Sequence, residues 1–161
     1  MKILRILSLS AVLGGCSPQP DPTFAPEHRA ALGDSVRQLM ATLALEVSAQ
    51  GFTAWIPYLE QAERFVWTSD GKIEFPSADS LARFIRPFAA TLTHTSLAFD
   101  TIKVSPLAPG VAQAAATYRE LFVGQKHDTT RLAGVFIGVW VRTPAGWRLV
   151  SGHTSHPAAA H

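Results

Sequence analysis

From about His94 onward this sequence is a succession of strand-like segments: SLAFDTIKVSPL, VAQAAATYRELFV, TRLAGVFIGVWVRT and GWRLVSGHTS. Pro109-Gly110, Gly124 and Pro144-Ala145-Gly146 punctuate them, and strands joined by such short turns pair with their neighbours in the chain. The pattern predicts a sequential antiparallel meander. In the third segment both alternating sets are apolar, with Leu132, Phe136 and Trp140 on one side and Val135, Ile137, Val139 and Val141 on the other. Such a strand should be covered on both faces. Helices would supply one cover; a second subunit, a curled edge of the same sheet or a ligand would supply the other.

The first half of the chain supplies the helices. Leu32, Val36, Leu39, Met40, Leu43 and Val47 recur at helical spacing, and Gly51 followed by Phe52 marks the stop. A short second helix is expected over Thr53 to Gln61, with Pro57 in its first turn. In ERFVWTSDGKIEF, β-formers flank Asp70-Gly71, a two-residue hairpin signal. Ser77 or Asp79 can cap a third helix carrying Leu81, Phe84, Ile85, Phe88 and Leu92 on one face, which Pro87 should kink or end early. The order predicts an α+β domain with about three helices packed on one side of a strongly bent antiparallel sheet. At 161 residues, 47% of them hydrophobic, the chain has material for one core, and no repeat suggests a second domain.

The N-terminus reads as a leader. MKILRILSLSAVLGGC carries cations at Lys2 and Arg5, then an apolar run too short to span a bilayer, then small residues. Leu13-Gly14-Gly15-Cys16 resembles the lipobox of bacterial lipoproteins, which implies a signal peptide over 1–15 and a lipidated Cys16, the chain's only cysteine. The alternative, a cut nearby, would leave an unpaired thiol in an oxidising compartment. Residues 16–26 include the proline-rich SPQPDPTFAP and fit a tether, 27–156 a folded domain, and 157–161 a loose tail. The expected location is the cell envelope; Ser17 after the cysteine resembles the enterobacterial sorting pattern, which implies the outer membrane with the domain facing the periplasm. Without Lys2 and Arg5, 14 − 2 = 12 basic residues balance 12 acidic ones, so no electrostatic footprint for nucleic acid remains.

VSPLAPGVAQAAATYRE and, above all, GVWVRTPAGWRLVSGHTSH resemble the nuclear transport factor 2-like superfamily, which includes the SnoaL-like and ketosteroid-isomerase-like proteins. The positions that carry the likeness are Val139, Trp140, Gly146, Trp147, Arg148, Leu149, Val150, His153 and Ser155. The resemblance implies a cone-shaped fold with an apolar cavity. It leaves function open, because the fold hosts isomerases, dehydratases, hydrolases, ligand binders and assembly domains.

Strict alternation on the last strand would place Trp147, Leu149, Ser151 and His153 on one, inward face. His153 is then either a general base or pocket donor, or a buried imidazole bracing the cone's mouth. Tyr118 is a candidate donor from a long strand, or a rim aromatic. Trp55, Tyr58 and Trp67 should wall the cavity, His94 could reach it, and Trp140 and Trp147 complete the expected lining. Ketosteroid-isomerase-like chemistry lacks its parts, since Asp70 is consumed by the hairpin turn and Asp100 has no assignable partner. His153 and His156, three apart, face opposite ways and His127 sits by a loop, so neither metal nor other cofactor is expected. Two functions follow: an envelope lipoprotein binding a small apolar ligand or a partner subunit, as a homodimer; or an isomerase, dehydratase or hydrolase acting on a hydrophobic small molecule.

Overall fold

The computed structural model describes residues 24–61 and 63–157. The expected leader, Cys16, most of the tether and residues 158–161 lie outside the described residues.

Helix α1 spans Pro26–Gln50 with proline in its first turn, where a missing N–H breaks no intrahelical bond. Val36, Met40, Leu43 and Val47 are completely buried along one stripe. Each such side chain contributes about 1.5–3 kcal/mol by leaving water. Gly51 ends the helix at φ 88°, a left-handed value that suits glycine, with its N–H on the Val47 carbonyl. A tight 3₁₀ segment, Phe52–Tyr58, follows in place of the α-helix expected over 53–61. Pro57 withholds a donor there, and Leu59 is already extended.

Strands β1 (Val66–Ser69) and β2 (Lys72–Phe75) form the hairpin. Asp70 at φ 45° and Gly71 at φ 82° are both left-handed, as a two-residue I′ turn requires. Helix α2, Ala78–Ala90, begins at Ser77: its hydroxyl accepts the Ser80 amide while the Ser80 hydroxyl accepts the Ser77 amide. Ser77→Ala should therefore cost about 1 kcal/mol. Thermal denaturation checks it: a melting temperature unchanged from that of the unaltered protein would contradict the cap. Pro87 does not end α2 early. It lies on the exposed side of the last turn, and the helix runs on to Ala90.

The four long strands are β3 (Leu92–Ala108), β4 (Val111–Gly124), β5 (Thr129–Thr143) and β6 (Gly146–Ser155). They form the expected meander within a six-stranded sheet of order β2-β1-β6-β5-β4-β3. The sheet is mixed, not wholly antiparallel, because β1 runs parallel to β6. After the 3₁₀ segment the chain already travels alongside β6, with Leu59 bridged to Leu149 and the Glu60 amide on the Leu149 carbonyl, and it enters β1 in that direction. Three breaks in the β3–β4 register, one at left-handed Thr101, bend the sheet into a cone around the helices.

The concave face carries Phe136, Trp140 and Leu149, with small Ala112, Ala114 and Ala116 among them. On the convex face Val135, Ile137, Val139 and Val141 remain part-exposed, Val135 to 38%. Among the described residues the helices lie on the concave side and do not provide the second cover expected for β5.

Candidate functional site

A cavity of about 240 Å³ lies between the concave sheet, α2, the 3₁₀ segment and the hairpin. Ten of its nineteen lining residues are Phe, Trp or Tyr, so aromatic surface defines it. Trp55 meets Trp67 edge-to-face with centroids 5.9 Å apart, and Trp67 lies 5.8 Å from Phe136. Helix α2 contributes Phe84 and Phe88. Strand β4 contributes Tyr118, Glu120 and Phe122, alternate residues that share one face.

The polar groups gather where β4, β6 and the hairpin turn converge. The Tyr118 hydroxyl lies 2.7 Å from His156 Nε2. On the other side of the ring, His156 Nδ1 is 2.8 Å from Asp70 Oδ2, and the His156 amide donates to Asp70 Oδ1 at 2.9 Å. These bonds, the backbone one first, hold the Asp70 carboxyl below its ordinary range. An ionised Asp70 fixes the proton on Nδ1, which leaves Nε2 to accept from Tyr118. Burial, with a smaller push from Glu120 and Asp70, raises the Tyr118 phenol to about 12, so it stays protonated. Beside this chain the Thr154 hydroxyl donates to Ser69 at 3.1 Å.

Glycine makes the arrangement fit. A Cβ on Gly134, which pairs with Tyr118, would stand 2.0 Å from the Ser155 carbonyl oxygen and 3.4 Å from His156 Cα. Only a residue without a side chain lets β6 end across this point and deliver His156 to Tyr118.

Glu120 is the other notable group. Its Oε1 is sealed from solvent and, among the described residues, has no hydrogen-bond partner. Burial pushes its carboxyl up to about 8. A carboxyl that holds its proton near neutral pH inside an apolar cavity is equipped for proton transfer.

Of the residues expected at the site, Trp55, Trp67 and Tyr118 line the cavity. His153 does not. At β5–β6 the register slips: Trp140 faces Leu149 but Val139 faces Ser151, leaving Val150 as a bulge. The extra residue reverses the alternation beyond it, so Gly152, Thr154 and His156 turn inward and His153 turns out. There it pairs beside Thr68, whose hydroxyl is 2.8 Å from its Nδ1.

Tyr58 instead donates to Glu46 on α1 at 2.7 Å. His94 is exposed and lines a separate groove with Arg86. Trp140 is fully buried in the core, and Trp147 donates to Ser35 at 2.9 Å on the α1 side. Asp70 serves the turn with its backbone alone, and its carboxylate is free for His156. Asp100 pairs with Arg119 on the exposed face. Alternation along β4 could have exposed Glu120, a carboxyl in register with Ala114, Ala116, Tyr118 and Phe122. His156 could not be reached without the bulge.

Neither a family model nor a curated protein matches this sequence. Its fold nevertheless matches solved structures, and the fold is the nuclear transport factor 2-like cone. A nuclear transport factor 2-like superfamily protein from Salmonella enterica superposes with a TM-score of 0.66 at 16% identity, covering 82% of this chain and 95% of that one. A provisionally assigned dehydratase of the same family from Streptomyces avermitilis gives 0.66 at 17% identity, covering 81% and 99%. A provisionally assigned scytalone dehydratase from Novosphingobium aromaticivorans gives 0.66 at 10% identity, covering 80% and 87%.

Proposed function

We propose that the domain binds a small, mainly apolar molecule in the aromatic cavity and carries out acid–base chemistry on it, as an isomerase or lyase of the dehydratase type. The supporting observation is the unpartnered Glu120 carboxyl beside the Tyr118–His156–Asp70 chain. These are two ends of a proton path across a bound ligand: what one gives, the other takes. With Glu120 as donor, its proton goes to the ligand oxygen. A ligand C–H proton passes to the Tyr118 oxygen as the phenol proton moves to His156 Nε2, and Asp70 stabilises the resulting imidazolium. If the protonated oxygen leaves as water the step is an elimination; if it stays, the step is an isomerisation. Reversal of the path through solvent restores both ends. The dehydratase names borne by two structural neighbours are compatible with this reading.

The test begins with small molecules extracted from protein purified out of its native envelope. Returned to fresh protein in D₂O, the ligand should gain deuterium at carbon or lose water, and with Glu120→Gln it should do neither. Recovery of the ligand unchanged from the unaltered protein would leave binding without chemistry.

The convex valine face favours a second reading, that the chain is also a partner-binding subunit, first of all a homodimer. Sedimentation at increasing concentration should show dimers, and Val139→Glu should abolish them; a monomer throughout would oppose this. The lipobox further supports an outer-membrane lipoprotein facing the periplasm. Mass spectrometry of the mature N-terminal peptide should find acylated Cys16, and a free thiol would refute the anchor.

A further inference from the structure

The chemistry of the cavity wall restricts the charge its ligand can carry. Among the described residues no lysine or arginine lines it, while Glu74 and Glu120 both do. The polar wall is also poor in donors. Tyr118 directs its proton to His156, His156 directs its own to Asp70, and Thr154 directs its hydroxyl to Ser69. What remains toward the cavity is the Ser69 hydroxyl, which accepts from Thr154 and keeps its own proton, the Glu120 carboxyl, and ring surface, including the indoles of Trp55 and Trp67. An anion would meet two carboxyls with no counter-charge. A cation would meet an acidic partner and the negative faces of aromatic rings, the strongest of which is indole.

We propose that the ligand is a hydrophobic ammonium compound, an aryl or arylalkyl amine or quaternary ammonium, whose cationic head pairs with Glu120. This rests on the reading of the cavity as a ligand site and names the substrate class. Size agrees, since a cavity of about 150 Å³ already admits benzene, and about 240 Å³ leaves room for a head group on a single ring. The Glu120 carboxyl then has a role: bound ammonium supplies a counter-charge that the cavity wall lacks. On such a ligand Glu120 is loaded as carboxylate, so it takes a ligand C–H proton and returns the same proton to another ligand atom, while Tyr118 and His156 keep theirs.

Calorimetric titration of the full-length protein with benzyltrimethylammonium, acetophenone and phenylacetate tests this, because the three share a ring and differ in charge. The quaternary ion keeps its charge at every pH. The titratable groups that share the cavity wall with Glu120 are Glu74 from β2, Tyr118 from β4 and His156 after β6, with Asp70 behind it. The 3₁₀ segment, α2, β3 and β5 present only hydrocarbon and ring surface. Because Glu120 ionises at about 8, ammonium affinity should rise about tenfold from pH 6 to pH 7 and level off above 8. At pH 8.5 it should exceed that for acetophenone by at least about tenfold, with no phenylacetate binding. Glu120→Gln should erase the preference and the pH dependence while keeping acetophenone binding, which also shows that the variant is folded. Equal affinity for acetophenone and the ammonium, tighter phenylacetate, or an ammonium affinity unmoved by Glu120→Gln would overturn the charge assignment and leave the cavity as a ligand site. Failure of all three compounds to bind would overturn both.

Discussion

Replacing Glu120 by glutamine is expected to make the domain more stable at pH 8–9 and to silence its proton transfer. In an unfolded chain this carboxyl titrates near 4.5, and in the folded domain burial moves it to about 8. The folded state therefore holds the proton more tightly. The stability this contributes is complete below about pH 4.5, drains away as pH rises, and is gone above about pH 8. The full span corresponds at most to on the order of 5 kcal/mol, and water entering the cavity beside the ionised group reduces it to a few kcal/mol. Glutamine has nothing to ionise, so its stability should run flat across that window and exceed the unaltered protein's at the alkaline end. Urea denaturation at pH 5, 7 and 9 checks this. Parallel pH curves for the two proteins would show that Glu120 is not strained by burial. Asp70 acts in the opposite sense: its carboxyl is held low, so its contribution is present above about pH 4 and is lost as acid protonates it.

A neutral glutamine of the same shape offers the means to separate the effect of Glu120 on folding from its part in proton transfer. Gain in stability together with loss of deuterium incorporation would be the signature of a functional acid. Gain in stability with chemistry unchanged would move the proton-carrying role wholly to Tyr118, His156 and Asp70.

The fold was legible in the sequence for physical reasons that the site does not share. Helix α1 follows from a 3.6-residue apolar stripe, the hairpin from Asp70-Gly71, and the meander from turns between β-forming runs, all of them local patterns. The parallel β1–β6 contact joins residues about 85 apart and has no local signature. The position of His153 failed for a sharper reason. Strand alternation carries an error forward: one bulged residue, Val150, inverts every assignment after it, and nothing in GWRLVSGHTSH distinguishes a bulged valine from a paired one. Trp55, Trp67 and Tyr118 precede any such slip on their own elements and could be placed on the cavity wall. Asp70 was misread because a turn residue was treated as spent, although a type I′ turn uses only its backbone.

Gly134→Val should break the His156 end of the site most directly. Valine favours strands, so local propensity does not oppose the change and the effect isolates the close approach of β6. The new Cβ would fall 2.0 Å from the Ser155 carbonyl oxygen, a backbone atom that cannot swing aside as a side chain can. The end of β6 must lift, and the bonds from His156 to Tyr118 and Asp70 lie just beyond the point of contact. The expected cost is about 1–3 kcal/mol, at the upper end because the strained atom is backbone. In the His156 ring NMR resonances, the variant should lose the shift produced by Asp70, while His153, outside the cone against Thr68, should keep its own. Gly152→Ala is the comparison, since a Cβ there meets the Trp67 ring at 2.3 Å and can be relieved by moving a side chain. That variant should narrow the cavity and weaken ligand binding while leaving His156 in place. If Gly134→Val instead leaves the His156 resonances and the denaturation midpoint unchanged, the glycine is not what brings the histidine to Tyr118, and the proton chain at the cavity wall does not depend on the course of β6.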